Sequence, residues 1–206
     1  MNKRIEKIRE AFNSIYKEAD CTLNYQKPYE LLFATRLAAQ CTDARVNIVM
    51  KDLVKKYPTL EAFADADLDE LMQDIYSTGF YRNKAREIIA SAQMLLSQFG
   101  GVVPDNMDDL LSLPGVGRKT ANLILGDVYG KPAIVVDTHA GRIARRIGLT
   151  TNKDPYKVEL DLKKIIPPDY QSTFCHQLVY HGREYCKSQR PICEKCPINL
   201  FCDKIL

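Results

Sequence analysis

Four cysteines near the C-terminus have the residue type and the spacing of a metal centre. They follow the pattern C-x6-C-x2-C-x5-C, at Cys186, Cys193, Cys196 and Cys202. Four thiolates so close together in sequence can surround a cuboidal iron–sulfur cluster. Tetrahedral zinc is the alternative, although zinc ribbons usually offer two C-x2-C pairs and this segment has one. The residues therefore indicate an iron–sulfur cluster, with zinc as the alternative.

The remaining cysteines and the N-terminus indicate a reducing compartment. Cys21, Cys41 and Cys175 bring the count to an odd seven, and we expect these three to be buried residues. The first twelve residues are charged throughout and lack the apolar core of an export signal. There is also no run of eighteen apolar residues, so no membrane span is expected. These features predict a cytoplasmic protein without a disulfide framework.

The segment Leu113-Pro-Gly-Val-Gly-Arg-Lys-Thr-Ala121 offers a second kind of chemistry. Gly115 and Gly117 bracket Val116, and a helix is predicted to begin at Arg118. Glycine permits a positive φ and close approach of another backbone. The free N–H groups at the helix start, together with the helix dipole, form a site for a phosphate oxygen. A tight turn without a ligand is the alternative, since Pro-Gly often marks a turn.

Lys119 lies in the first turn of that predicted helix. A protonated lysine is a poor nucleophile. The positive end of the helix dipole and the neighbouring Arg118 both disfavour a further positive charge, and so favour the uncharged amine that attacks electrophiles. The alternatives are a solvated surface lysine and a phosphate contact.

The elements that position these residues are predicted to be almost all helical. Apolar residues recur at helical spacing from Ile5 to Ala19. Further helices are predicted over 29–40, 42–56, 68–76, 84–99, 107–111, 118–128, 138–147, 155–166 and 171–186. The helix over 29–40 is apolar on most sides and is expected to be central and buried. The strand-like run 133–136 is too short and isolated to form a sheet. The fold class is therefore all-α.

Charge is distributed unevenly along the chain. Residues 112–206 hold 15 Lys and Arg against 9 Asp and Glu, whereas the preceding residues hold 14 against 17. A basic half is compatible with a polyanionic partner, although charge varies along any chain.

The string LPGVGRKTAN resembles the helix-hairpin-helix signature of the endonuclease III family, and the resemblance extends from about Tyr29 to Cys202. It implies a base-excision-repair DNA glycosylase with an AP lyase activity and a 4Fe–4S cluster on the four cysteines. In this family the lysine that matches Lys119 attacks the sugar C1′ and expels the damaged base. The segment VDTH (136–139) falls where the family places its catalytic aspartate, which assigns that role to Asp137. Capping of the next helix is a further interpretation of Asp137.

The resemblance also implies a set of DNA contacts. The hairpin residues Gly115, Val116, Gly117 and Arg118 would bind the backbone. Gln40 and Phe80 match residues that fill the gap left by a flipped nucleotide. A core position is the alternative for Phe80. His139 would contact a phosphate, or be a structural histidine.

One stretch departs from the family pattern. The family commonly has LLSAQ where this chain has Arg36-Leu-Ala-Ala-Gln40. Ala38 lacks a hydroxyl near the base pocket. Arg36 replaces an apolar residue and would snorkel, pair with an acid or enter the pocket. These changes affect the preference among damaged bases rather than the reaction.

Together the resemblance and the local chemistry predict two helical lobes. Residues 25–131 would form a six-helix barrel with the hairpin, and residues 1–24 plus 132–206 the cluster domain. Duplex DNA with an oxidised pyrimidine or an abasic site would lie between them, with Lys119 and Asp137 facing each other. We expect a monomer, associated with the nucleoid in a prokaryote, that requires neither nucleotide nor magnesium. A monofunctional mismatch glycosylase and a non-catalytic DNA-binding relative are the alternative functions.

Overall fold

The computed structural model describes residues 3–205, and all of its regular structure is helical. The α-helices are α1 Lys3–Ile15, α2 Pro28–Leu37, α3 Asp43–Lys56, α4 Leu60–Ala64, α5 Leu68–Asp74, α6 Tyr81–Phe99, α7 Met107–Ser112, α8 Arg118–Asp127, α9 Thr138–Ile147, α10 Pro155–Ile165 and α11 Gln171–Glu184. Short 3-10 turns cover Tyr76–Thr78, Pro168–Tyr170, Cys193–Lys195 and Asn199–Phe201. None of the described helices is long and apolar enough to cross a membrane. The predicted all-α fold class is confirmed.

The chain divides into two compact units, and one of them is Thr22–Tyr129. Helix α2 is its centre, because it contacts α3, α6 and α8. Seven of the ten residues of α2 are buried, as its apolar sequence predicted. Phe33 of α2 packs against Phe63 of α4 with ring centroids 5.0 Å apart. Such aromatic burial is a main source of stability for a helical core.

Two helix ends in this unit differ from the sequence-based bounds. Helix α2 ends at Leu37, and Gln40 lies beyond it with a φ of 56°. Helix α6 begins at Tyr81, three residues before the predicted start. Its N-cap is Phe80, which also has a left-handed backbone, with a φ of 51°. The hydrophobic period predicted the helix bodies, but it contains no signal for a non-glycine residue with positive φ.

The other unit consists of the chain up to Cys21 and from Gly130 onward. Helices α9 and α11 pack closely because Gly182 has no side chain. A Cβ atom at Gly182 would lie 2.5 Å from His139 Nδ1 and 2.8 Å from Ile143 Cδ1. Phe12 of α1 covers α11 through a ring contact with Phe174 at 6.0 Å. The run 133–136 forms no strand, as expected.

Candidate functional site

The turn between α7 and α8 has the features of a backbone anion site. Gly115 has a φ of 74°, and the Val116 N–H donates to the carbonyl of Leu113 at 3.1 Å. Gly117 is the N-cap of α8 and provides no side-chain cap. Both glycines are exposed. The first N–H groups of α8 therefore have no N-cap side chain to which they could donate, which suits a phosphate oxygen as the acceptor.

Lys119 is an exposed residue in the first turn of α8. It follows Arg118, which is half-buried. Its position near the positive end of the helix is the one that the sequence predicted. An exposed amine at this place is accessible to a DNA sugar.

Asp137 is half-buried at the start of α9 in the other unit. Its Oδ1 accepts a hydrogen bond from the Ala140 N–H at 2.7 Å, so it is the N-cap of α9. The capping interpretation of Asp137 is confirmed. One carboxylate oxygen makes this cap, and capping fixes the direction of the side chain.

His139 packs within its own unit. Its Nδ1 lies 3.2 Å from the guanidinium of Arg142, and its ring fills the space opposite Gly182. The residue is half-buried. These contacts correspond to the structural interpretation of His139.

Gln40 and Phe80 are both exposed at the tips of turns in the unit Thr22–Tyr129. Phe80 exposes 64% of its surface, which excludes the core interpretation. Both residues have positive φ, and a non-glycine residue in that conformation is strained and is typical of functional sites. The left-handed backbone was not predicted for either residue.

Arg36 forms an ion pair with Glu87 of α6. This outcome is one of the three that the sequence left open. The pair lies beside the hairpin, since a Cβ atom on Gly115 would be 2.7 Å from Glu87 Oε2 and 3.1 Å from Arg36 Cδ. Gly115 therefore allows the hairpin to approach the side chains of α2 and α6 closely. Ala38 is the C-cap of α2 and is half-buried.

The four C-terminal cysteines line one cavity and carry free thiols. Cys186 follows α11, and the other three lie in or beside the two 3-10 turns over 193–201. Apolar wall residues include Ile147, Ile192 and Ile198. The sequence had predicted this convergence from spacing alone.

Hydrogen-bond donors lie close to these sulfur atoms. The Arg146 guanidinium donates to Cys186 Sγ at 3.6 Å, and His181 Nε2 lies 3.5 Å from Cys196 Sγ. The Lys204 N–H donates to Cys202 Sγ at 3.4 Å. Burial raises the pKa of the Cys196 thiol to about 11 and also raises that of Cys202. A bound cationic centre would offset this effect, because metal ligation stabilises the thiolate.

Within residues 3–205 no group of three or more His, Cys, Asp or Glu side chains has the geometry of a bound metal ion. The four thiols nevertheless converge on one cavity and have N–H donors near their sulfur atoms. Four cysteine sulfurs with such donors around them are the ligand set that an iron–sulfur cluster requires.

Several residues around these sites had no signal in the sequence. Arg146 and His181 approach the cysteines from α9 and α11, and Glu87 approaches the hairpin from α6. Their partners lie between 15 and 51 residues away in the chain. Cys21 and Cys41 are half-buried, so the expectation of full burial is correct for Cys175 alone. Packing of this kind follows from tertiary structure rather than from a local pattern.

The helical fold, the glycine hairpin and the cysteine cavity define a class of DNA repair protein. The family model "HhH-GPD superfamily base excision DNA repair protein" matches residues 33–168. The chain therefore belongs to that superfamily. A solved thermostable thymine-DNA glycosylase, 24% identical with a TM-score of 0.87, shares the fold over 98% of this chain and 97% of its own.

Within that superfamily the chain belongs to the endonuclease III family. It is 44% identical to endonuclease III of Synechocystis sp. and 43% identical to that of Bacillus subtilis, in each case over 97% of this chain and 92% of the relative. A solved structure of a trapped covalent endonuclease III–DNA intermediate is 42% identical, with a TM-score of 0.92. The match covers 99% of this chain and 96% of that one. The prediction of a base-excision-repair DNA glycosylase with lyase activity is thereby confirmed for the family.

Proposed function

We propose that this chain excises oxidised or fragmented pyrimidines from duplex DNA and then cleaves the strand 3′ to the abasic site by β-elimination. The observation that carries the proposal is an exposed lysine, Lys119, in the first turn of the helix that follows the glycine hairpin. A covalent endonuclease III–DNA intermediate has been solved for a relative with nearly the same fold. A nucleophilic amine accounts for such an intermediate.

In the proposed reaction the Lys119 amine attacks C1′ of the damaged nucleotide. The bond between C1′ and the base breaks, and the base leaves with its electron pair and a proton. The C1′–O4′ bond then breaks, O4′ takes a proton, and the lysine nitrogen forms a protonated Schiff base with C1′ of the opened sugar. Loss of a C2′ proton expels the 3′ phosphate and cleaves the strand. A Schiff base acidifies that proton because its nitrogen is an electron sink, so neither magnesium nor a nucleotide is required.

Asp137 is proposed to remove a proton from the Lys119 amine or to stabilise positive charge on the sugar. Its cap to Ala140 uses Oδ1, so the other oxygen is available for this purpose. The two residues lie in different units of the chain, and we propose that both act on the same nucleotide.

The DNA contacts are proposed to come from residues at exposed turns. The glycine hairpin and Arg118 would bind a phosphate without reading sequence. The exposed Phe80 ring and the Gln40 amide would occupy the space left by the flipped nucleotide, since a glycosylase must extrude its target base. His139 would support this surface from α9. The protein would act on the chromosome in the cytoplasm.

We propose that Cys186, Cys193, Cys196 and Cys202 hold a 4Fe–4S cluster. Their convergence on one cavity and the donors near their sulfur atoms both support it. When bound, the cluster would cross-link the C-terminal segment. No step of base excision is assigned to it.

The proposed reaction is tested on a duplex that contains one oxidised pyrimidine, with EDTA present. Wild-type protein should yield a strand already cleaved without alkali. Lys119→Ala should yield no product, and Lys153→Ala, which alters an exposed lysine before α10, should behave as wild type. Strand cleavage only after hot alkali would indicate a monofunctional glycosylase. Binding without any product would indicate the non-catalytic alternative.

A further inference from the structure

Lys84 is a charged residue that is completely buried. It lies in the first turns of α6 with 0% of its surface exposed. Burial lowers the pKa of its ammonium group. Its Nζ donates to two backbone carbonyls, that of Leu37 at 2.8 Å and that of Thr78 at 2.9 Å. Lysine is almost never buried in this way without a specific set of partners.

The two carbonyls belong to the two turns that carry the proposed gap-filling residues. Leu37 is the last residue of α2, and Gln40 follows it by three residues. Thr78 ends a 3-10 turn, and Phe80 follows it by two residues. Each turn then presents an exposed side chain on a left-handed backbone. A strained backbone persists only where its surroundings hold it in place.

From this arrangement we infer that Lys84 is a positioning residue, which joins the Gln40 turn to the Phe80 turn so that both side chains enter the duplex together. The inference rests on the proposed function, because it assigns a support to the residues that fill the gap. One ammonium group is suited to this purpose, since it has three N–H donors on a flexible stem. A methionine would fill the same volume but would leave both carbonyls without their donor.

A change at Lys84 should affect binding to damaged DNA more than binding to undamaged DNA. Binding to undamaged duplex depends on the phosphate contacts of the hairpin, which Lys84 does not touch in the described contacts. Binding to a duplex with an abasic site also depends on side chains that enter the stack. Stacking of an aromatic side chain on a base adds to the affinity for such a duplex. Loss of the two Lys84 hydrogen bonds should therefore reduce the preference for damaged DNA without weakening binding to undamaged duplex to the same extent.

The test compares wild type, Lys84→Met and Leu95→Ala on two duplexes. One duplex is undamaged, and the other has a tetrahydrofuran abasic analogue opposite 2-aminopurine. Leu95 is a fully buried residue near the other end of α6, so its variant controls for a general loss of stability. Lys84→Met should lower the affinity ratio between the two duplexes about tenfold, with a weaker change in 2-aminopurine fluorescence. Leu95→Ala should keep the wild-type ratio.

The outcomes separate this inference from the proposed function. A wild-type protein that does not prefer the abasic duplex would contradict the proposed function itself. A wild-type preference that Lys84→Met retains, or loses only as much as Leu95→Ala does, would contradict the inference alone. Lys84→Gln keeps amide N–H donors and should retain part of the preference. This variant tests the same ratio of affinities for the two duplexes with a smaller expected loss of folding stability.

Discussion

At the scale of single residues, Asp137 has both a structural and a proposed chemical role. An asparagine retains the oxygen that accepts the hydrogen bond from Ala140 but not the charge, whereas an alanine retains neither. Asp137→Asn should leave the free energy of unfolding nearly unchanged and slow base excision at least about a hundredfold. Asp137→Ala should slow excision as much and also lower the free energy of unfolding by about 1 kcal/mol. Single-turnover kinetics and urea denaturation measure the two effects.

The opposite pattern would overturn this division of roles. If Asp137→Asn retained wild-type excision while Asp137→Ala did not, the carboxylate would act through the cap alone.

The buried Lys84 predicts a pH dependence of stability. Because folding lowers its pKa below the ordinary 10.5, the folded chain releases a proton that the unfolded chain retains. Burying the charge costs most at low pH, and this cost diminishes as pH rises through the lowered pKa toward 10.5. The stability of wild type relative to Lys84→Met should therefore increase with pH in that window. An ionised Cys41 would oppose the loss of the proton from Lys84, and the positive charge of Arg36 favours it. A difference that stays constant from pH 7 to 10 in urea denaturation would contradict the expectation.

The sequence identified the residues of the candidate site better than it predicted the contacts around them. Lys119 lies in the first turn of its helix, as the glycines before it indicated. Phe80 had two interpretations because an aromatic residue in a hydrophobic context is compatible with both core and surface. Arg36 had three, and its ion pair depends on Glu87, which is 51 residues away. Only the folded chain determines such contacts.

At the scale of elements, the hairpin depends on the left-handed backbone of Gly115. An alanine there would meet both a strained φ of 74° and the Arg36–Glu87 pair. Gly100 has a similar φ of 59° with open space around it. Gly100→Ala is therefore a matched control for the stability lost through backbone strain alone. Gly100→Ala should lose about 1 kcal/mol of stability from the backbone strain, and Gly115→Ala should lose more because its Cβ also displaces the Arg36–Glu87 pair. Gly115→Ala alone should weaken binding to damaged and undamaged duplex equally and reduce the salt dependence of binding.

Fluorescence anisotropy over a range of salt concentrations provides that measurement. A change in the preference for damaged DNA without a change in the salt dependence would contradict a phosphate role for the hairpin.

Helix bodies were predictable because their apolar spacing is long enough to show a period. Helix α9 has the predicted bounds, and α10 differs from its predicted bounds by one residue. Helix α4, at five residues, is too short to show a period and was missed. The observed end of α2 and the observed start of α6 each differ from the predicted position by three residues. A strained turn follows α2, and another strained turn precedes α6.

At the scale of the whole molecule, the cysteine segment connects the two ends of the described chain. Asp203 follows the last cysteine and forms an ion pair with Arg4 of α1 at 2.9 Å. The Asp203 N–H also donates to the carbonyl of Ile147, at the end of α9, at 3.2 Å. A cluster on the four cysteines would therefore stabilise α1 and α9 as well as its own segment.

Removal of one ligand tests this coupling. Cys202→Ser should lose the visible absorbance and most of the iron, and residues 186–205 and α1 should become sensitive to limited proteolysis. Cys21→Ser, at a half-buried position remote in sequence from the cavity, should retain the iron content of wild type. Zinc in place of iron in the purified wild-type protein would contradict the cluster assignment.

The proposed function depends above all on the attack of Lys119 on the sugar and on the Schiff base that follows. Borohydride reduces a Schiff base to a stable bond, so it converts this intermediate into a covalent protein–DNA adduct. Wild-type protein on a duplex with one abasic site should give the adduct, and a folded, cluster-loaded Lys119→Ala should give none. An adduct that persists undiminished in Lys119→Ala, or its absence from well-folded wild type, would contradict the account.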